Sequence, residues 1–128
     1  MTDLDKAVSN GTAPWAHIEF ADINYTVFRD AYPVTEGHLL FVPTNENWNC
    51  LAECYKAAYE AGNTGVIQGR WQAFNIGQNV GAAAGQTVMY PHVHMIPRRT
   101  GDCADPTGGV RGVIIGQQNY KTAGYRKP

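Results

Sequence analysis

With 128 residues, a formal net charge of −1 and 44% hydrophobic residues, the chain has one domain's worth of length and enough apolar content for a real core. Nothing in that charge favours nucleic acid or an anionic membrane, and no apolar run approaches the roughly 20 residues that a membrane-spanning helix needs. The 3 cysteines, Cys50, Cys54 and Cys103, are odd in number and form no Cys-x-x-Cys pair, which argues against a disulfide scaffold and a zinc knuckle.

Residues 1–14, MTDLDKAVSNGTAP, are polar and acid-bearing and read as a flexible arm. They have the pattern of neither a signal peptide nor a transit peptide, so the expected compartment is the cytoplasm. HIEFADINYTVFRD predicts two short strands around a turn at residues 21–24, with Tyr25 and Val27 on one face and Thr26 and Phe28 on the other. AYPVTEGH is a turn punctuated by Pro33 and Gly37, and HLLFVP is a continuous apolar run suited to a buried strand. In NWNCLAECYKAAYEAGNTGVIQGRW, Leu51, Cys54, Tyr55, Ala58 and Gly62 recur at helical spacing, with Asn47 or Asn49 as the cap. Gly62, Gly65 and Gly69 should weaken the second half of that helix. QAFNIGQ predicts a strand, NVGAAAGQ a loop of small residues, and TVMYPHVHMI a final strand. Strands with a single helix among them indicate an α+β fold.

The segment QTVMYPHVHMIPRR carries the chemistry. On a strand, Tyr90, His92 and His94 share one face, and Pro91, Val93 and Met95 share the apolar one. Pro91 has no N–H to give a neighbour, which hints at a strand start or an open edge. Three readings compete. The pair could be the polar side of a packed strand. It could offer two metal ligands, with His38 or His17 as a third and an aspartate completing the set, although no acid stands within seven residues of the pair. Or one neutral imidazole could be a nucleophile, its other nitrogen tied to an acceptor, while the second histidine gives a proton to the leaving group. The small residues of NVGAAAGQT, followed by Gln86 and Thr87, would let a phosphate approach, although no Gly-Lys-Ser/Thr follows as in a Walker loop.

GQTVMYPHVHMIPR resembles the signature of the histidine triad (HIT) family, in which three histidines alternate with apolar residues. VFRDAYPVTEGHLLFVP resembles the family's strand, turn and strand ending in Gly-His, FNIGQNVGAAAGQT its substrate loop, and GDCADPTGGVRGVI the tail of dinucleoside polyphosphate hydrolase-like members. The resemblance implies a domain over residues 15–115, with a tail at 116–128. It implies a five-stranded antiparallel sheet with one main helix, and a homodimer that continues the sheet. It further implies a nucleotide substrate, a dinucleoside polyphosphate or phosphoramidate, cleaved at the α-phosphorus through a covalent nucleotidyl-histidine.

Residue by residue, the resemblance gives the nucleophile's place to His92 and the leaving-group contact to His94. The supporting fourth histidine falls on His38, the ribose contact on Asp30, and Tyr90 takes the first triad position. Asn79, Gly85, Gln86 and Thr87 fall at the loop contacts, where backbone N–H groups at residues 85–88 would hold phosphate oxygens. Arg98 and Arg111 suit the distal phosphates, because arginine forks match phosphate oxygens. Ile18, Phe28 and Leu39 are candidates for the base pocket. No cofactor or metal is expected, though a polyphosphate substrate can carry magnesium, and neither nucleic acid nor membrane is an expected partner. A non-catalytic nucleotide sensor and a histidine-based metalloenzyme are the alternatives.

Overall fold

A computed structural model describes residues 1–124 and shows two compact units, Met1–Arg98 and Arg99–Pro128. The first unit holds helices α1 (Asp3–Ser9) and α2 (Trp48–Ile67) and strands β1 (Ile18–Ala21), β2 (Tyr25–Arg29), β3 (Leu39–Pro43), β4 (Ala73–Gly77) and β5 (Val93–Arg98). The strands form one antiparallel sheet in the order β1-β2-β3-β5-β4, which is the expected α+β architecture. Among the described residues, no helix is long and apolar enough to cross a membrane.

The sheet is covered on both faces, and strand alternation decides which residue goes where. Val27, Phe41, Val93 and Met95 pack under α2 with Cys54, Ala58 and Trp71. Phe28, Leu40 and Val42 point to the other face and pack with Leu4, Ala7, Ala13 and Tyr90. β3 lies between β2 and β5 and is covered on both sides, so HLLFVP reads as a continuous apolar run rather than an alternation.

Residues 1–14 are not a loose arm. Thr2 and Asp5 form a capping box at the start of α1. The Leu4 N–H donates to the Thr44 carbonyl, the Asp3 N–H to Asn45 Oδ1, and the Glu46 N–H to Asp3 Oδ2. Leu4, Ala7 and Ala13 are buried. A seven-residue helix gives little periodic signal, and its partners lie about forty residues away in sequence. The first compact unit, Met1–Arg98, therefore includes this helix.

Of the two readings of Pro91, the strand start holds: β5 starts at Val93, two residues after Pro91, and is paired on both sides. The second half of α2 is unbroken to Ile67. A Cβ on Gly62 would lie 2.3 Å from Phe74 Cδ2, and one on Gly65 would lie 1.9 Å from Trp71 Cζ2. The glycines are thus where the helix passes over two aromatic rings, and the Trp71 indole N–H donates to the Gly62 carbonyl at 2.9 Å. Tertiary packing here outweighs a helix-propensity cost of about 1 kcal/mol per glycine.

The second unit carries a short 3-10 segment, Gly109–Val113, and is held by polar bonds. Asn119 Nδ2 donates to Asp105 Oδ2, Gln118 Nε2 to the Asp105 carbonyl, and the Arg111 guanidinium to the carbonyls of Gln117 and Gln118.

Gly65→Ala should lower stability by about 1–3 kcal/mol through overpacking against Trp71. Urea unfolding would show it as a reduced midpoint with an unchanged slope, and a midpoint equal to wild type would contradict this account of the helix–sheet contact.

Candidate active site

One row of residues runs across all five strands on the face opposite α2: Ile18, Phe28, Leu40, His94 and Gly77 are successive register partners. His94 therefore stands on an apolar floor. His92 sits just before β5, where the chain has not yet joined the ladder, and its ring centroid is 5.2 Å from that of His94. His38 enters from the β2–β3 connection and is 2% exposed. Gly37 makes that entry possible: its φ of +94° is a conformation that L side chains rarely adopt, and a Cβ there would meet Pro97 Cγ at 3.1 Å.

The hydrogen bonds fix the tautomers. The Val34 N–H donates to His38 Nδ1 at 3.1 Å, so a neutral His38 carries its proton on Nε2. That Nε2–H lies 2.9 Å from His94 Nδ1, which must accept it, leaving the His94 proton on Nε2. His92 Nδ1 lies 2.8 Å from the Tyr90 carbonyl, which can only accept, so its proton is on Nδ1 and its Nε2 keeps the lone pair. The neighbouring rings thus hold opposite forms: His92 presents a bare nitrogen and His94 an N–H. Burial, with His92 and His38 close by, lowers His94 to a pKa of about 4, so it is neutral near pH 7. Burial also lowers His38, against the pull of the Asp30 carboxylate 3.5 Å away.

Sequence reasoning missed Trp15. It lies outside every motif, three residues ahead of β1, yet its ring centroid is 4.9 Å from that of His92 and 5.9 Å from that of Phe28. No local pattern marks it, because α1 and Ala13 deliver it to the sheet. Tyr55 Oη donates to Gln78 Oε1 at 2.8 Å and anchors the start of the next loop to α2.

That loop holds the remaining expected contacts. Gln86 does not reach outward: its Oε1 accepts from the Gly81 N–H, and its Nε2 donates to the carbonyls of Val88 and Met89. The backbone N–H groups of Gly85 and Gln86 are bound to the Ala82 and Gly81 carbonyls. These residues shape the loop, and Asn79 and Thr87 are its exposed polar positions. Arg98 follows His94 on the same strand face and donates to Asn75 Oδ1. Arg111 belongs to the second unit, where its guanidinium donates to the carbonyls of Gln117 and Gln118.

Residues 16–101 match the HIT domain family. The chain belongs to the HIT family. It is 31% identical over 103 residues to a HIT-like protein of Mycobacterium tuberculosis, covering 75% of this chain and 71% of that one. It is 33% identical over 82 residues to an adenylylsulfatase of Arabidopsis thaliana, covering 58% of this chain but only 41% of that relative's length. A zinc-bound histidine triad family protein from Mycobacterium smegmatis has a similar structure, with a TM-score of 0.66, 27% identity, and 80% and 78% of the two chains covered.

The structure corrects the expectation that the Tyr90 side chain lines the cleft. It packs in the core with Leu4, Ala7, Phe28 and Val42, where it is 6% exposed. Its phenol donates to the Pro43 carbonyl at 2.6 Å, and burial raises its pKa well above the ordinary value. Only its backbone carbonyl serves the site. Asp30, His38 and His94 bring three metal-ligand atoms within 4.8 Å of one another, while His92 lies outside the set. A cation there would have to displace the proton that His38 shares with His94, so the three residues serve either a metal or the hydrogen-bonded pair.

Tyr90→Phe should lower stability by about 1–3 kcal/mol, since it leaves the buried Pro43 carbonyl without that donor. A chemical role for the phenol would show instead as a loss of turnover at unchanged stability. Acid should weaken the fold through His94 and His38. Between pH 6.5, where an unfolded histidine titrates, and about 4, the unfolded chain takes up protons that the folded His94 refuses, so stability falls as the pH falls. His94→Asn should flatten that slope in unfolding measurements across this range.

Proposed function

We propose that this HIT protein cleaves nucleoside 5′-phosphoryl compounds at the α-phosphorus by way of a nucleotidyl group on His92. One observation carries the reading: adjacent histidines locked in opposite tautomers, one with a lone pair and one with a proton. His92 Nε2 attacks the phosphorus, the bond to the leaving group breaks, and its electron pair departs on the leaving atom, which accepts a hydrogen bond from the His94 Nε2–H and takes its proton from solvent. Water or another acceptor then attacks the phosphorus, gives its proton to solvent, and frees His92 in its neutral form. A hydrogen-bonded pair explains the positions of His38 and His94 without a metal, so turnover should persist in chelator. Asp30, Asn79 and Thr87 are the ribose and phosphate contacts in this reading.

The substrate class follows from the leaving group. The His94 Nε2–H can hydrogen-bond a departing phosphate, sulfate or amine alike, so the panel is diadenosine polyphosphates, adenosine phosphoramidate and adenylyl sulfate. The last is suggested by the Arabidopsis relative. A homodimer belongs to the proposal too, since β1 and β4 are the sheet edges through which two sheets could join.

His92→Ala should remove turnover while nucleotide binding persists, because a nucleophile acts mainly in the transition state. His94→Ala should lower kcat by about 10²–10³-fold, the usual scale for one lost hydrogen-bond donor to developing charge. Rapid quenching and intact-protein mass spectrometry should find the nucleotide on His92. Binding of every panel member with no product would leave a nucleotide sensor, and a nucleotide attached elsewhere would refute the assignment.

A further inference from the structure

We propose that Trp15 stabilises the cationic nucleotidyl-His92 intermediate through its indole ring and so acts as a positioning residue for this reaction. The inference rests on the covalent reading above and adds a residue outside the HIT signature.

The argument starts from charge. When His92 Nε2 forms its bond to phosphorus, the ring keeps its Nδ1 proton, held by the Tyr90 carbonyl at 2.8 Å. The electron pair of the broken bond leaves with the leaving group, which accepts a hydrogen bond from the His94 Nε2–H. The imidazole thereby changes from neutral to cationic, and the positive charge stays on it until the acceptor attacks. Something must favour that charge inside a half-buried site.

Carboxylates do not supply it. Asp30 lies on His38, and among the described residues no acid forms an ion pair with His92. His94 is neutral and contributes no attraction. Two partners remain: the Tyr90 carbonyl at one end of the ring and the Trp15 indole beside it. The Trp15 and His92 centroids are 4.9 Å apart with the planes inclined at 58°, inside the reach of about 6 Å over which an aromatic ring attracts a cation. Indole has the most electron-rich face of the natural aromatic side chains.

The packing keeps Trp15 in place. The Ala13 N–H donates to the Ala7 carbonyl at 3.0 Å, and Ala13 is 3% exposed, so the segment just before Trp15 is fixed to α1. Phe28 supports the indole from the sheet. The His92 ring is thus bounded by Trp15, by His94 and by the hydrogen bond at Nδ1, with Nε2 as its reacting end.

Fluorinated tryptophans placed at position 15 alone test this, because each added fluorine weakens the π face with little change in shape. The full-length protein, with one to four fluorines on Trp15, is mixed with adenosine phosphoramidate. The rate of adenylyl-His92 formation is then read by rapid quench and mass spectrometry. The expected result is a stepwise fall in the logarithm of that rate with fluorine number, at unchanged KM. Trp15→Phe should retain part of the rate, and Trp15→Leu should lose about two- to thirtyfold. Adduct formation that is insensitive to fluorination, or an effect confined to KM, would overturn the role of Trp15 and leave the covalent reading standing. Absence of any adduct in the unmodified protein would overturn both. Fluorination preserves the packing volume, so a Trp15→Leu chain that failed to fold would leave the series decisive.

Discussion

The hydrogen bond between His38 and His94 is the constraint on which the site depends. It is 2.9 Å long and largely removed from water, and it has one consistent donor direction because the Val34 amide already fills the other face of His38. A backbone N–H cannot reverse its role. That single fixed donor passes through two rings and appears at the cleft as a proton on His94 Nε2. The Tyr90 carbonyl performs the opposite service for His92. Two main-chain groups that cannot titrate therefore set the chemistry of two side chains that can.

The sheet makes this arrangement possible by keeping its two faces separate. Under α2 it is packed with Val93, Met95, Phe41 and Trp71, and small residues on the helix allow close approach. On the other face the same strands offer Leu40 and Phe28 as an apolar floor beside His94. This setting keeps His94 neutral, because a charge there would lose its hydration with little in exchange. Burial of a histidine works against stability in acid, and the two hydrophobic clusters offset it.

Much of this was readable from the residues themselves. Period-two alternation placed Val93 and Met95 in the core and His94 opposite, and the unbroken run at residues 38–43 marked the central strand. What escaped the sequence depended on distant partners. Tyr90 keeps to the His94 face, as alternation requires, but Leu4, Ala7 and Ala13 cover it there, so it is core and not cleft. Gly62 and Gly65 look like weak helix residues until Phe74 and Trp71 are set against them. The first helix is short, and its bonds go to residues 44–46. Trp15 follows from that helix, so it could not be placed before the helix was. Gln86 has the chemistry of a ligand contact, but its amide is engaged in three bonds within its own loop.

The interior position of β5 limits how such a protein can change. Hydrogen-bonded on both sides, this strand cannot slide or tilt without breaking ladders to β3 and β4 together, so His94 has a fixed frame, and the Tyr90 carbonyl holds the His92 ring beside it. Parts free to vary lie at its margins, in the segment leading to β1 and in the loop from residues 78 to 89. Adaptation to a new leaving group or base would be written there first, as altered walls around an unaltered pair of nitrogens.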